Sequence, residues 1–575
     1  MNTYKKEVAE ALSSHAGIPA EEILPLIAEP PPEIEGDLSV PCFSFARVLK
    51  KSPTLIAENL AREMKLPVTY HKVTAVNGYL NFCLDPEAFA RQTLSLIQEQ
   101  GKNYGDSVRG KGKVVTIDFS SPNMGKELAF HHLRGTMLGN ALSKLYVKCG
   151  YRVVRINHLG DWGTSYGKLI FMYLREGLPV DEKSLSGLSI EKLNELYQSF
   201  ARASKSDPGL DDEARRIFRK LESGDEKIHR MWKAFRHITL NELKKVYATL
   251  GVEFDNYTGE SFFARQAEAI LQDLKSKNLL TISQGSEIVD LSQYDLPPLM
   301  LKKSDGSTLY ATRDLCAALY RKEEYGFHRN LYVVDNGQAL HFQQFFKVLE
   351  LMGHDWQKEC EHVPFGLILT RSEDGTWEKG KTRLGGVSLL KDVIQRGTDK
   401  ILKIIIEKNP GLKNREFAAG KIAVGALVFN GLKHKRQNDV NFEWDSVLSF
   451  EGDTGPYAVN AYVRLASILR KGRERKNLPQ AIELDFNRLR EAEARDLIKG
   501  LSRFSEKVEN ALNKNEPSVL AQYVLSLAEK AHRFMHTCRV LSSPEERERL
   551  LLVDCTRIVL RNTLELIGIP LVEEM

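Results

Sequence analysis

The sequence predicts an α/β protein whose central domain is a doubly wound, Rossmann-like parallel sheet, preceded by a small α+β unit and followed by an all-α helical bundle. An apolar run, KVVTIDFS at residues 113–120, is typical of a buried parallel strand. Further strand-like runs that lead into turns and helical patterns lie at 150–163, 330–338 and 362–370. Buried strands that alternate with helices indicate a doubly wound sheet.

The regions on either side of this sheet have a different pattern. Helical patterns at 3–13 and 53–64 alternate with a strand-like piece at 71–84, and the Gly- and Lys-rich stretch 99–113 indicates a linker. Four helical segments predict the bundle, at 456–472, 486–513, 517–539 and 544–567. We therefore expect three domains, at 1–108, 109–440 with a helical insertion at about 180–280, and 441–575.

Composition narrows the class of protein. The 575 residues are 42% hydrophobic and 27% charged, as in a globular protein, and no apolar run approaches the ~20 residues of a membrane span. The N-terminus lacks the apolar core of a secretory signal. The seven cysteines contain no C-x-x-C pair, which favours reduced thiols in a cytoplasmic protein over disulfides or a zinc site. A net charge of +5 is compatible with a nucleic-acid partner but is too small to argue for one.

The stretch SPNMGKELAFHHLRG, residues 121–135, leaves the first strand of the predicted sheet and enters a helix expected near 131–148. Doubly wound folds bind phosphates at such a loop, because backbone N–H groups and the helix dipole favour negative charge there. Lys126 and His132 add donors at the same place. The alternative is an ordinary helix N-terminus with a polar first turn, and these residues alone favour that alternative.

Tyr310 and Asp314 stand four apart in KKSDGSTLYATRDLCAALYR, residues 302–321. If both lie in the first turn of a helix, they share one face. A guanidinium presents a flat fork of N–H donors that suits a planar carboxylate such as Asp314, and Tyr310 adds a hydroxyl and an aromatic face. The alternative is an acidic residue at a helix N-terminus with the tyrosine in the core, and the pair alone favours it.

The stretch 121–135 resembles the signature of class I aminoacyl-tRNA synthetases, and most closely that of arginyl-tRNA synthetases. In that family SPN-x-x-K-x-x precedes His-x-Gly-His, Leu-Arg and a small residue. The matching positions are Ser121, Pro122, Asn123, Lys126, His132, Leu133 and Arg134. Ala129 stands where the first histidine is usual, and His131 where glycine is usual. Two alternatives stay open: His131 supplies the lost imidazole, or the site is impaired.

The resemblance also implies an arginine-binding site. Ser121 and Asn123 belong to it through the signature, and the similar turn INHLGDWGTSYG at 156–167 places Asn157 near the amino or carboxyl group of the substrate. In the same turn, Asp161 and Trp162 are expected to hold the backbone together.

Two later stretches complete that site. LYATRD looks like the family's arginine-specificity motif. This resemblance favours Tyr310 and Asp314 as substrate-binding residues over the structural alternative. LYVVDNGQALHFQQFF, residues 331–346, is similar to the family's second-half strand and helix. It assigns Gln338 to the substrate side chain, with His341 and Gln344 as weaker candidates that are often merely structural.

A lysine-rich loop, KMSKS, is a further mark of class I synthetases. This chain carries KGKTRLGG in GLILTRSEDGTWEKGKTRLGG, residues 366–386, and many arginyl enzymes have a similarly degenerate loop. The resemblance implies a catalytic Lys381, with Lys379 and Arg383 as auxiliary ATP-binding residues. The glycines suit a mobile loop that closes over a nucleotide. The alternative is a solvated basic turn.

The implied reaction is ATP-dependent activation of L-arginine to arginyl-adenylate, then transfer to the terminal adenosine of tRNA(Arg). Neither step needs a protein nucleophile, so donors that stabilise developing charge are enough. Lys126 and His132 would serve both catalysis and ATP binding, with His131 and Lys381 as the other catalytic residues. Mg²⁺ is expected on the ATP phosphates, held mainly by the nucleotide, and no structural metal is indicated.

The C-terminal stretches 442–471 and 531–575 resemble the family's anticodon-binding domain, and the N-terminal unit typically contacts tRNA. The implied partners are tRNA(Arg), L-arginine and ATP, with no membrane, and a monomer is expected. Two alternatives remain: a tRNA-binding paralogue with an impaired active site, and a class I synthetase for another amino acid, of which lysine is the closest rival.

Overall fold

The computed structural model of the chain describes residues 2–31, 33–304, 306–372, 374–379, 389–473 and 480–575. The N-terminal elements, in chain order, are α1 (Asn2–Ala16), α2 (Ala20–Ile23), β1 (Leu38–Pro41), α3 (Phe43–Leu49), α4 (Pro53–Glu63), β2 (Tyr70–Val76), β3 (Tyr79–Leu84) and α5 (Pro86–Gln100). The strands form an antiparallel sheet in the order β1-β3-β2. Asn77 and Gly78 have φ values of 49° and 80°, which turn the strand-like run 71–84 into a hairpin.

A parallel sheet forms the centre of the molecule. Its first half contains β4 (Val114–Phe119), α6 (His132–Lys148), β5 (Arg152–Ile156) and α7 (Thr164–Arg175). The helix α6 packs directly on β4 because residue 139 is glycine: a Cβ there would lie 2.1 Å from the ring of Phe119. The predicted strand at 113–120, the strand and Gly-punctuated turn at 150–163, and the helix near 131–148 are confirmed.

A helical insertion follows, as the charged stretch 180–280 predicts. Its helices are α8 (Glu182–Ser186), α9 (Ile190–Ser206), α10 (Gly209–Glu222), α11 (Glu226–Leu250), α12 (Glu260–Phe263) and α13 (Ala267–Ser276). Polar caps explain where two of them begin. Ser189 accepts the backbone N–H of Lys192 at the start of α9, and Asp225 accepts that of Ile228 at the start of α11.

The chain then completes the parallel sheet. The elements are β6 (Thr281–Ser283), β7 (Ser286–Val289), β8 (Leu299–Lys302), α14 (Tyr310–Tyr325), β9 (Arg329–Val333), α15 (Ala339–Leu351) and β10 (Cys360–His362). The strands β6, β7 and β8 form a separate antiparallel sheet. The central sheet has the order β10-β9-β4-β5, and every neighbouring pair in it is parallel.

The strand-like run at 362–370 is divided between two sheets. The remaining elements of this region are β11 (Ile368–Arg371), β12 (Trp377–Lys379), α16 (Leu390–Lys408), α17 (Arg415–Leu432) and β13 (Val440–Phe442). β10 ends at His362, and β11 belongs to another sheet, between β12 and β13. Pro364 has no N–H to donate, and the Gly366 N–H bonds to Arg436 O at 2.8 Å, so the chain leaves the central sheet between the two strands.

The C-terminal part is helical, with α18 (Trp444–Val447), α19 (Gly455–Arg473), α20 (Ala492–Ser502), α21 (Phe504–Lys514), α22 (Ser518–Thr537) and α23 (Glu546–Leu566). The helical segment predicted at 486–513 is not one continuous helix. It is interrupted at Arg503, between the end of α20 and the start of α21. The break directs Phe504 into contact with Tyr104 and Tyr523, whose ring centroids lie 5.8 and 6.0 Å away.

All seven cysteines are free and buried. Among the described residues, no helix has the length and apolar character needed to cross a membrane.

Candidate active site

The candidate site lies at the carboxyl edge of the central sheet, where β4, β5 and β9 end side by side. Loops that leave the carboxyl ends of neighbouring parallel strands meet at one edge, and ligands of doubly wound folds bind there. The predicted residues Ser121, Asn123 and Lys126 follow β4, Asn157 follows β5, and Gln338 follows β9.

The turns after β4 and β5 interlock. The Met124 N–H donates to Gly160 O, and the Gly160 N–H donates to Pro122 O, both at 3.1 Å. A Cβ at residue 160 would lie 2.5 Å from Asn123 Oδ1, so glycine is needed for this close approach. Ser121 Oγ donates to Asp118 Oδ1 at 2.9 Å. Ser121 and Asn123 therefore stay exposed at the mouth of the site on a backbone that is fixed by its neighbours.

Two imidazoles lie together where α6 begins. His132 Nδ1 lies 3.0 Å from the backbone nitrogen and 3.2 Å from the backbone oxygen of Ala129, so Ala129 anchors this ring in either neutral tautomer. His131 is the residue before the helix, and its ring centroid lies 4.2 Å from that of His132. Both rings thus lie at a helix N-terminus, where negative charge is favoured. Ala129 fills a buried position and supplies only its backbone to this arrangement.

Arg134 matches the signature but is a structural residue. Its side chain is fully buried and donates to three backbone carbonyls, those of Leu367, Lys435 and Asn438. Burial lowers the pKa of this guanidinium to about 10. Arg134 therefore ties the start of α6 to the segments that flank β11 and β13.

Asn157 is fully buried and only half satisfied. Its Nδ2 donates to Tyr247 Oη at 2.9 Å, and the same hydroxyl lies 2.8 Å from Ser120 Oγ. Burial raises the pKa of Tyr247 to about 12, so the hydroxyl stays protonated. Asn157 Oδ1 has no hydrogen-bond partner in the part of the chain that the structure describes. A buried carbonyl oxygen without a donor costs free energy, so it indicates a ligand that donates, such as an ammonium group.

Asp314 has two histidine neighbours. As the sequence predicts, α14 begins at Tyr310, which puts Asp314 one turn further on the same face. Its Oδ2 accepts from His341 Nε2 at 2.9 Å, and its Oδ1 lies 3.8 Å from His158 Nε2. Burial acts to raise the pKa of Asp314, but the hydrogen bond from His341 and the electrostatic interactions with His341, His158 and Arg321 outweigh it. The net pKa lies below the usual value, so this carboxylate is charged at neutral pH.

Tyr310 borders the same carboxylate. Its ring centroid lies 4.9 Å from that of His341, and half of the residue is exposed. The structure thus brings Tyr310, Asp314 and His341 together as one exposed aromatic ring, one carboxylate and one imidazole. This arrangement can bind a planar cation by charge and by contact with an aromatic face.

Three residues of this region were missed or undervalued by the sequence prediction. His158 follows Asn157, stacks on Phe263 with centroids 5.9 Å apart, and has no hydrogen-bond partner for either ring nitrogen among the described residues. Glu260 pairs with Arg313 at 3.0 Å, and its burial raises its pKa. The sequence offered one indication for two of these residues, which is their position beside a predicted site residue. His158 is next to Asn157, and Arg313 is next to Asp314.

The remaining predicted positions have different surroundings. Gln338 ends a short 3₁₀ turn (Asn336–Gln338) before α15 and is exposed. Gln344 donates to Pro297 O at 2.8 Å and to Pro298 O at 3.2 Å, which is a structural role. Asp161 is fully buried and accepts from Ser261 and Arg236, so the expectation that it holds its turn is confirmed.

Only part of the basic loop KGKTRLGG, residues 379–386, belongs to the described residues. Lys379 is the last residue of β12, and Lys381 and Arg383 lie outside the described residues. Lys126 is described: its Nζ lies 3.7 Å from the centroid of the Tyr197 ring. In the described ranges no group of three or more His, Cys, Asp or Glu side chains could hold a metal ion.

Comparison with known protein families identifies the class of protein to which the chain belongs. The family described as tRNA synthetases class I (R), catalytic domain, matches residues 93–444. The arginyl tRNA synthetase N terminal domain matches residues 2–84, and the DALR anticodon binding domain matches residues 458–575. The fold is therefore that of a class I tRNA synthetase.

Full-length relatives identify the family within that class. The chain is 43% identical over 575 residues to an arginine–tRNA ligase of Clostridium acetobutylicum and 42% identical to one of Clostridium beijerinckii, with all of each chain covered. The structure matches that of Thermus thermophilus arginyl-tRNA synthetase with a TM-score of 0.78 and 25% identity, over 100% of this chain and 99% of that one. The chain belongs to the arginyl-tRNA synthetase family, and the predictions of family and fold class are confirmed.

Proposed function

We propose that this chain is an arginine–tRNA ligase that activates L-arginine with ATP and transfers the arginyl group to the terminal adenosine of tRNA(Arg). The observation that carries the proposal is the charged, partly exposed Asp314 at the sheet edge, in a chain of this family. The same edge holds Asn157 Oδ1, which has no hydrogen-bond partner among the described residues. One group suits a guanidinium, and the other suits an ammonium.

Three groups of residues at this edge would form the proposed arginine site. Asp314 and Tyr310 would bind the guanidinium, with Gln338 beside it. Asn157 would accept a hydrogen bond from the α-ammonium group, and Ser121 and Asn123 would close the site from the interlocked turns. Because an apolar side chain would partly desolvate the Asp314 carboxylate without offering it a cation, the pair Tyr310 and Asp314 disfavours apolar amino acids.

The proposed ATP site is the start of α6. The arginine carboxylate attacks the α-phosphate, pyrophosphate leaves, and a ribose hydroxyl of tRNA later takes the arginyl group. Lys126, His131 and His132 would stabilise the charge that develops on the phosphates. Lys381, with Lys379 and Arg383 as auxiliaries, would act from the loop after β12.

Mg²⁺ is proposed to bind with ATP, and not at a site of its own in the protein. Among the described residues no cluster of ligating side chains forms a cage for it. Mg²⁺ would therefore arrive on the ATP phosphates, where it would offset their charge.

The proposal extends to the setting of the enzyme. We infer a cytoplasmic monomer with an N-terminal tRNA-contacting domain at 1–108, a catalytic domain at 109–440 and an anticodon-binding domain at 441–575. The alternative, a tRNA-binding paralogue with an impaired site, is not favoured, because the full-length relatives named above are arginine–tRNA ligases.

Aminoacylation tests the proposal directly. Purified protein, unfractionated tRNA, ATP and Mg²⁺ are incubated with labelled arginine, and with labelled lysine as the control. We expect charging with arginine and none with lysine. Tight tRNA binding without charging would leave the paralogue, and charging with lysine would overturn the arginine site.

A further inference from the structure

The ammonium group of Lys126 lies against an aromatic ring from the helical insertion. Its Nζ is 3.7 Å from the centroid of Tyr197, which is on α9, and both residues are half-buried. This is well within the ~6 Å over which a cation is attracted to the face of a ring. The insertion therefore contacts the signature loop at the lysine that the family pattern singles out.

Two further contacts join α9 to the same loop. Asn194, one turn before Tyr197, donates to Glu127 Oε2 at 2.7 Å. Lys391 Nζ lies 2.5 Å from Glu127 Oε1 and 3.3 Å from Glu191 Oε1. Residues 191, 194 and 197 are spaced by three, so they share one side of the helix. One side of α9 thus binds the loop at Lys126 and Glu127.

The signature loop also contacts the start of α16. Lys391 is the second residue of α16, which begins just after residues 380–388. The Leu390 N–H donates to Leu128 O at 2.8 Å, and Ala129 pairs with Leu389. Lys126 therefore belongs to a short stretch that is bound on one side by α9 and on the other by the start of α16.

The group that contacts the Lys126 ammonium determines how much positive charge remains available to bind phosphates. A carboxylate would hold the ammonium but would also neutralise it and compete with the phosphate oxygens. The nearest carboxylate in sequence, that of Glu127, is bound by Lys391 and Asn194 instead. An aromatic face attracts the cation through its quadrupole and leaves the formal charge intact.

We propose that Tyr197 is a positioning residue that holds the Lys126 ammonium over its ring and so presents an un-neutralised cation to the ATP phosphates. The inference rests on the proposed function of Lys126 and adds to it a residue of the insertion that the signature does not contain. Asn194 and Glu127 keep α9 at the distance that this contact requires.

A double-mutant cycle tests it in the full-length enzyme. The rate measured is ATP consumption in the presence of arginine, tRNA and Mg²⁺, with kcat and KM for ATP separated. Tyr197→Leu is expected to lower kcat about tenfold, because the ring is lost, whereas Tyr197→Phe keeps the ring and stays within about twofold. In a Lys126→Met background, Tyr197→Leu is expected to have no further effect, because the two residues act as one unit. Tyr294→Leu is the control, since that ring covers Lys347 at 4.6 Å, outside the site.

An isosteric series guards against misfolding. Phenylalanine and trifluorophenylalanine at position 197 have nearly the same shape, but fluorination removes the negative potential of the ring face. We expect the fluorinated enzyme to be slower at an unchanged thermal midpoint. Equal rates across the series, or equal losses with and without Lys126, would overturn the inference. Full activity of Lys126→Met alone would overturn the role of Lys126 itself, and with it the inference, at a different step of the same experiment.

Discussion

His341 donates a hydrogen bond to Asp314 across two helices, with 2.9 Å between Nε2 and Oδ2, although the residues are 27 positions apart in sequence. This bond orients the one carboxylate that the proposed arginine site contains and keeps it ionised. Specificity for a guanidinium should therefore depend on both residues, and not on Asp314 alone.

Asp314→Asn tests the charge itself. The amide keeps the shape of the carboxylate but loses its charge, so we expect kcat/KM for arginine to fall by about 2 kcal/mol, or roughly thirtyfold. The KM for tRNA should stay unchanged. Asp445→Asn is the matched control, because the side chain of Asp445 is fully exposed. Equal kinetics of the two variants would contradict the assignment.

His341→Ala tests the pKa argument. The folded-state pKa of Asp314 lies below its ordinary value, so this carboxylate contributes stability above the unfolded pKa, and that contribution is lost as pH falls through the lower folded pKa. Without His341, burial is less opposed and the pKa of Asp314 should rise. Arginine affinity, measured by calorimetry from neutral pH down to about pH 4, near the ordinary carboxyl pKa, should then weaken at a higher pH in the variant than in the wild type. Parallel curves would argue against this coupling.

Tyr247→Phe removes the hydroxyl that bridges Asn157 and Ser120. We expect kcat/KM for arginine to fall by about 1–2 kcal/mol, because Asn157 loses its buried acceptor and is no longer fixed. Tyr166→Phe is a close control: the Tyr166 hydroxyl is also buried but has no hydrogen-bond partner among the described residues, so its removal should cost nothing. A similar loss in both variants would point to general packing.

His131→Gly addresses the departure from the family signature. If His131 supplies the missing imidazole, the variant should lose about 2.7–4 kcal/mol of transition-state stabilisation, the usual cost of one well-aimed donor. The exchange Ala129→His with His131→Gly restores the family pattern and should recover much of the rate. Single-turnover adenylate formation is the measurement. An unchanged rate in His131→Gly would leave His132 as the only working imidazole of this signature.

Arg134→Met tests a structural residue of the same signature. Three carbonyls would lose their donor in a buried place, and we expect about 3 kcal/mol of destabilisation with a lower thermal midpoint. Arg134→Lys should also be destabilised, because one ammonium cannot reproduce the fork that reaches three carbonyls. A midpoint equal to that of the wild type would show that the segments are held by other contacts.

The sequence predicted the parts of this site that depend on local order. Tyr310 and Asp314 share a face because they are four apart, and Asn157 lies at the sheet edge because it follows a strand. The partners of these residues could not be predicted in the same way. Tyr247 is 90 residues from Asn157, on a helix of the insertion, and only the packed fold brings them into contact.

Strand boundaries failed for a related reason. The run 362–370 is mostly apolar, and apolar character alone does not distinguish one long strand from two short strands in different sheets. The separation depends on Arg436, which donates to Pro364 O at 2.7 Å and accepts the Gly366 N–H through its own carbonyl. Such a contact lies far along the chain and leaves no local pattern.

The burial of all seven cysteines makes the native chain a ready background for site-specific labelling. Burial raises the pKa of Cys149 to about 11 and that of Cys316 and Cys360 to about 12, so their reactive thiolate forms are scarce at neutral pH. A single cysteine introduced on the solvent side of α9 would therefore be the thiol that a maleimide dye reaches first. Spectroscopy of the insertion during catalysis could then proceed without first removing any native sulfur.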